Sequence, residues 1–221
     1  MSERRKRARL VDILALAPVI PVITIEHASQ AVPLARALVA GGLRAIEITL
    51  RTEAAVQAAR AVIADVPEAV VGIGTVLTPY DLDRACRIGA TFAVSPGVAT
   101  DLLAAAELSD IPFMPGIQTA SDLIACVTRG FDTVKFFPAM PAGGLAALKA
   151  LGGPFPNVRY CPTGGIGETN AEEWLAYPKV LAVGGSWVAP LADINSGDWP
   201  AIEQRARTAS SLRRAASMAP S

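Results

Sequence analysis

Ligands for a metal ion are scarce in this chain of 221 residues, which holds one histidine, His27, and three cysteines, Cys86, Cys126 and Cys161. No two cysteines share a CxxC-type spacing, so neither a zinc site nor a disulfide framework is expected. Cys161 lies near a glycine-rich loop but reads as a buried small hydrophobe. Net charge is lacking too: 20 basic residues balance 20 acidic ones. That removes the reason to expect nucleic acid or an acidic polymer as a partner. Charge clusters only at the ends, in "RRKRAR" (Arg4 to Arg9) and "LRRAA" (Leu212 to Ala216), which read as a solvated terminal helix or frayed ends.

No uninterrupted apolar run reaches membrane-spanning length, so no membrane is expected. The basic-then-apolar amino terminus has the outline of a signal peptide. Asp12 interrupts the run, however, Pro18 and Pro21 break any helix in it, and the following "VIPVITI" reads as a strand that the core needs. The expected compartment is the cytoplasm.

Lysine is also rare. Only four of the twenty basic residues are lysines: Lys6, Lys135, Lys149 and Lys179. Lys6 belongs to the basic amino terminus, Lys149 to a helix-like run, and Lys179 follows a proline. Lys135 alone has no solvent-facing explanation, because it interrupts the apolar strand "TVKFF". A charged amine there costs several kcal/mol unless it is paired or gives up its proton.

What is present is a strong alternation. The β-branched runs "VIPVITI", "AIEITL", "VVGIGT", "FAVSP", "PFMPGI", "TVKFF", "VRYCPTG" and "VLAVGGS" are separated by alanine-rich amphipathic stretches. Many of these stretches open at Thr or Ser and close on Gly, and "TPYD" and "TASD" add an acidic residue three places after the cap. Eight strand–helix units, with the residues after Ser196 as the last helix, predict a single α/β domain over residues 1–221, a (β/α)₈ TIM barrel. The basic segment 1–17 is expected to pack outside or at the bottom of it. An open doubly wound sheet is the alternative, but "TIEHAS" after the first strand has no phosphate-loop glycine.

In such a barrel the active site lies at the carboxyl ends of the strands. Strand alternation puts Glu47, Thr49 and Arg51 of "AIEITLR" on one face, opposite Ile46, Ile48 and Leu50. It likewise sets Thr133, Lys135 and Phe137 opposite Val134 and Phe136. Glu47, Arg51 and Lys135 are therefore expected to point inward. A desolvated neutral lysine adds to a ketone to form an imine, a carboxylate moves protons, and a guanidinium holds a planar carboxylate. The competing reading is a buried ion network that only fills the barrel.

Two glycine-rich turns, "PTGGIGETN" and "VGGSW", follow the last two strands and predict an anion site. Thr75 is read either as a ligand hydroxyl or as a helix-entry residue, His27 as a rim or capping residue, and Trp187 as packing.

The motifs "EITLRTEAA", "GIGTVL", "AVSPG", "PGIQT", "VKFFPA", "CPTGGI" and "GGSW", in this order, resemble the 2-keto-3-deoxy-6-phosphogluconate (KDPG) aldolase family. That family also handles 4-hydroxy-2-oxoglutarate. The resemblance runs from about Val19 past Trp187. It implies a homotrimeric barrel that forms a covalent imine with Lys135 in place of any metal or other cofactor. Its small-molecule partners are then a 2-keto acid and an aldehyde phosphate: KDPG is cleaved to pyruvate and glyceraldehyde 3-phosphate. By the same resemblance Glu47 is the acid/base, and Arg51, Thr75, Pro96 and Phe137 surround the pyruvate moiety. Thr163 faces a substrate hydroxyl, and Gly164, Gly165, Gly185 and Ser186 hold the phosphate. An aldolase for the galactonate epimer, a phosphate-binding isomerase or synthase without an imine, and a non-catalytic barrel remain as alternatives.

Overall fold

The computed structural model describes residues 3–212. The basic residues Arg213 and Arg214 lie outside the described residues. Helix α1 (Glu3–Ala15) precedes β1 (Val19–Ile23), and a short 3-10 turn leads into α2 (Ala31–Ala40). Strand and helix then alternate: β2 (Ala45–Thr49), α3 (Ala55–Asp65), β3 (Val70–Gly74), α4 (Pro79–Arg87), β4 (Phe92–Val94) and α5 (Thr100–Leu108). The fifth predicted strand is two pieces, β5 (Phe113–Met114) and β6 (Gly116–Ile117). The break falls at Pro115, which has no N–H to give the ladder, though its carbonyl accepts from the Lys135 amide at 2.9 Å.

After α6 (Ala120–Val127) come β7 (Thr133–Phe136), α7 (Gly144–Gly152), β8 (Arg159–Pro162), α8 (Ala171–Leu175) and β9 (Val183–Gly185). The helix predicted after Ser196 is α10 (Trp199–Ser210); a short helix that the sequence reading did not include, α9 (Leu191–Ser196), precedes it, with Gly197 between the two.

Every strand pairing is parallel. Six strands form a half-barrel sheet in the order β5-β4-β3-β2-β1-β9, and three more run β6-β7-β8. Isolated bridges Tyr160–Val180 and Thr163–Gly184 connect β8 to the segment around β9.

The alternation predicted from the strands sorts the core. Ile46, Ile48, Val134 and Phe136 join the large cluster packed with the helices. A smaller cluster gathers Ile20, Ala45, Phe92, Val94, Met114 and Cys161 from the other face, together with Leu10, Ile13 and Leu14 of α1. Burying those three α1 side chains contributes about 1.5–3 kcal/mol each, which explains why so basic a helix is held down.

Lys6 corrects the sequence reading. It is as buried as Lys135, at 4% exposure each. Its Nζ donates to the carbonyls of Ala106 and Glu107 at 3.3 and 2.8 Å. Those carbonyls end α5, where intrahelical partners run out and positive charge is favoured.

The caps divide in the same way. Thr78 and Thr119 form full capping boxes with Asp81 and Asp122. Thr52 does not cap; its hydroxyl donates to the Ile25 carbonyl, and α3 begins three residues later.

Cys126 and Cys161 are buried, and burial pushes both thiols up to about 12, whereas Cys86 is exposed. At pH 8 only about one buried thiol in 10,000 is therefore ionised. A disulfide-exchange reagent should titrate one thiol per chain in the folded protein and three in denaturant; two or three fast native thiols would contradict this packing. The sign of the linkage is also set. Raised folded-state values stabilise the fold up to the unfolded thiol range near 9, and that stability fades as pH climbs toward 12.

Candidate active site

Lys135 and Glu47 meet at the centre of the site. Lys135 stands on β7 and Glu47 on β2, with side chains 5% and 2% exposed. Lys135 Nζ lies 3.0 Å from Glu47 Oε1 and 3.4 Å from Oε2. Desolvating two charges costs several kcal/mol per ion, and only close, well-made contact offsets it. The room for this contact comes from Gly74 at the end of β3, where any Cβ would overlap the Glu47 carboxylate. The Phe137 ring, two residues on and just past β7, centres 5.4 Å from the amine. Cys161 is in register with Lys135 on the neighbouring strand. Its thiol is raised chiefly by burial; the Lys135 charge works against that shift and the Glu47 charge with it.

Beside Gly74, Thr75 has φ of 59°. This left-handed conformation is a genuine outlier for a β-branched residue and costs on the order of 1–3 kcal/mol, of the kind that collects at functional sites. Pro96 lies past another strand end: its backbone presses on Gly116, which is in register with Lys135. Ser95 fixes that loop by donating to the Gly97 carbonyl at 2.8 Å and accepting from the Gly116 amide at 3.2 Å.

A cleft of about 350 Å³ opens above, lined by Val22, Thr24, Arg51, Phe137, Thr163, Gly164, Gly165, Ile166, Gly185, Ser186, Ala189, Leu191 and Ile194. Seven sequence-predicted residues thus share one cavity: Arg51, Phe137, Thr163, Gly164, Gly165, Gly185 and Ser186. Lys135 and Glu47 do not line it. They lie one strand repeat deeper, since Phe137 and Thr163 on the wall follow Lys135 and Cys161 by two residues. Thr75 and Pro96 are not on the cleft wall. Arg51 falls beyond the end of β2, in a turn, and is exposed. Among the described residues its guanidinium has no carboxylate partner.

The glycine turn after β8 requires its composition. Gly164 and Gly165 have φ of 103° and 75°, a region that other residues enter only with strain. A Cβ on Gly165 would also come within 2.7 Å of Met140. The backbone N–H groups of Gly165 and Ser186 meet no acceptor among the described residues, so both remain available to an anion.

His27 is exposed, and its backbone N–H donates to Gln30 Oε1 at 3.3 Å at the start of the 3-10 turn, in keeping with a rim position. Trp187 packs against the main core and against Gly185. No group of three or more His, Cys, Asp or Glu that could hold a metal ion occurs among the described residues. Sequence reasoning missed Thr24 and the apolar wall of Val22, Ile166, Ala189, Leu191 and Ile194. Alternation in "VIPVITI", which sets Val22 and Thr24 opposite Ile23 and Ile25, carried the signal for the first two.

The family model described as KDPG and KHG aldolase matches residues 10–205. The KHG/KDPG aldolase of Escherichia coli K12 is 50% identical over 198 residues, 90% of this chain and 93% of its own length. Two solved structures superpose closely. The KDPG aldolase from Legionella pneumophila, with pyruvate captured at low pH as a covalent carbinolamine intermediate, is 44% identical. Its TM-score is 0.89, covering 91% of this chain and 98% of that one. The 2-keto-3-deoxy-6-phosphogluconate aldolase of Zymomonas mobilis ZM4 with 3-phosphoglycerate is 45% identical, with a TM-score of 0.90 over 95% of this chain and 99% of that one. With the family model running along most of its length and such relatives matching about nine-tenths of it, the chain belongs to the KDPG and KHG aldolase family.

Proposed function

We propose that this protein is a class I aldolase that cleaves KDPG to pyruvate and glyceraldehyde 3-phosphate through an imine on Lys135, with 4-hydroxy-2-oxoglutarate as a second substrate. The observation that carries the reading is the buried contact between Lys135 Nζ on β7 and Glu47 Oε1 on β2 at 3.0 Å, beneath the cleft. Glu47 takes a proton from the ammonium, and the freed amine adds to the substrate ketone. Glu47 returns the proton to the departing hydroxyl, water leaves, and the imine remains. Glu47 then removes the proton of the C4 hydroxyl. The C3–C4 bond breaks, its electrons pass into the iminium, and the aldehyde phosphate departs. Protonation of the enamine at C3 and addition of water release pyruvate and restore the amine. The iminium is the electron sink, so no step as written calls on a metal or other cofactor.

The captured carbinolamine of the Legionella relative is the species that the addition step requires. Arg51 is the proposed anchor of the pyruvate carboxylate, with Thr75 and Pro96 beside it and Phe137 against the imine. Thr163 meets a substrate hydroxyl. Gly164, Gly165, Gly185 and Ser186 are the proposed phosphate contacts, and the unused amides of Gly165 and Ser186 support that role.

The proposed fold is one domain, a closed (β/α)₈ barrel; the two bridges between β8 and the β9 segment, and the Pro115 carbonyl between β5 and β6, support closure. Helix α1 covers its amino-terminal end in this reading. The proposed assembly is a homotrimer, a use for the exposed apolar residues Leu77, Tyr80, Leu108 and Ile124. A phosphorylated substrate does not cross membranes freely, so the cytoplasm is the proposed compartment.

Borohydride reduction with pyruvate, followed by peptide mapping, tests the reading. A reduced adduct on Lys135 that needs pyruvate is expected; an adduct elsewhere, or none, defeats the imine. Lys135→Met should be inactive and untrapped. It leaves Glu47 without its buried partner, at a cost of about 3–5 kcal/mol, so its folding is checked by circular dichroism. Glu47→Gln should still trap pyruvate yet turn over about 10²- to 10⁴-fold more slowly; loss of trapping would give Glu47 an earlier or purely structural role. Ser186→Ala keeps the amide but removes the hydroxyl proposed to join it on the phosphate, and should raise KM for phosphorylated substrate about tenfold and spare 4-hydroxy-2-oxoglutarate. An equal loss on both would count against the phosphate contact.

A further inference from the structure

Thr24 belongs to the cleft but has no role in the scheme above, and its hydrogen bonding is asymmetric. It follows the last residue of β1 and continues the column of Val22, facing the cavity while Ile23 and Ile25 pack outward. Its hydroxyl lies 3.3 Å from that of Thr49, which is fully buried on the adjacent β2. Geometry at this pair alone leaves the donor open. The other bond of Thr49 decides it: Thr49 Oγ1 donates to the Ile23 carbonyl at 2.8 Å, and a hydroxyl has a single proton. With that proton committed to the shorter bond, Thr49 can only accept from Thr24. Thr24 therefore spends its own proton inside the protein and shows the cleft only lone pairs.

Its position says which part of a ligand would find them. Val22 is in register with Glu47, so Thr24, two residues further on, stands one step nearer the cleft mouth than the carboxylate. The other neighbour of β1 is β9, where Pro21 is in register with Gly185, just before Ser186. Thr24 thus lies between the ionic pair and the second glycine turn, where the middle of an extended substrate would run.

Resting on the aldolase reading, we infer that Thr24 is a specificity-determining residue that accepts a hydrogen bond from the hydroxyl next to the phosphate-bearing carbon, C5 of KDPG. In the condensation direction this is the 2-hydroxyl of glyceraldehyde 3-phosphate. The residue then favours a hydroxylated acceptor over its deoxy analogue, because binding the analogue leaves these lone pairs unmet in a partly desolvated wall.

The experiment measures kcat/KM for pyruvate condensing with glyceraldehyde 3-phosphate and with 3-oxopropyl phosphate, which lacks only that hydroxyl. Thr24→Val keeps the shape and removes the acceptor. Its preference for the hydroxylated aldehyde should fall about 3- to 10-fold relative to wild type, and Thr24→Ser should restore it. An unchanged preference, or an equal loss on both aldehydes, overturns the role of Thr24. Pyruvate trapping on wild-type Lys135 separates the two levels. Absence of that adduct sinks the aldolase reading and this inference with it, whereas an intact adduct with unchanged preference sinks the inference alone.

Discussion

Burying an ammonium against a carboxylate is the constraint around which this site is organised. A pair 3.0 Å apart and nearly sealed from water survives only if neither partner can drift. The surroundings meet that condition by subtraction as much as by contact. Gly74 withholds a side chain where the Glu47 carboxylate lies. Gly116 does the same where the Pro96 loop presses in beside the lysine strand. Thr75 holds an uncommon backbone conformation immediately after Gly74. Compact neighbours at these strand ends are the condition for a buried pair and, in the proposed reaction, for an amine and a proton carrier already in contact before substrate arrives.

The chain buries two lysines to the same extent, and comparing them separates structure from chemistry. Lys6 donates to two carbonyls at the end of α5, and its charge also reaches the exposed Asp110 carboxylate. Lys135 is satisfied by a carboxylate, which can take the proton. The first lysine pins α1 against the fold near the starts of the strands; the second lies beneath the cleft. Burial alone therefore says little about function. What sets Lys135 apart is direct contact with a buried carboxylate at 3.0 Å, whereas Lys6 is held at the end of a helix.

The cleft joins two kinds of recognition. The enclosed ionic pair lies beneath it, and its glycine-turn end offers backbone amides near solvent. A ligand carrying a keto acid at one end and a phosphate at the other would match that gradient. Thr24 and Thr163 occupy the span between, where hydroxyl groups rather than charges would have to be read.

Much of this was determined by the sequence itself. Period-two alternation in "AIEITL" and "TVKFF" was enough to turn Glu47 and Lys135 away from the aliphatic face, because successive side chains of a strand must alternate. The capping boxes at Thr78 and Thr119 were legible because both partners lie within one helical turn. What only the tertiary structure decided depends on residues far apart in the chain. Lys6 finds carbonyls about a hundred residues away, and Thr24 acquires its polarity from a hydroxyl on another strand. The contact between Glu47 and Lys135 spans 88 positions. Local spacing specifies which face a residue takes, but distance, and with it the choice of hydrogen-bond partner, is set by how the strands are laid side by side.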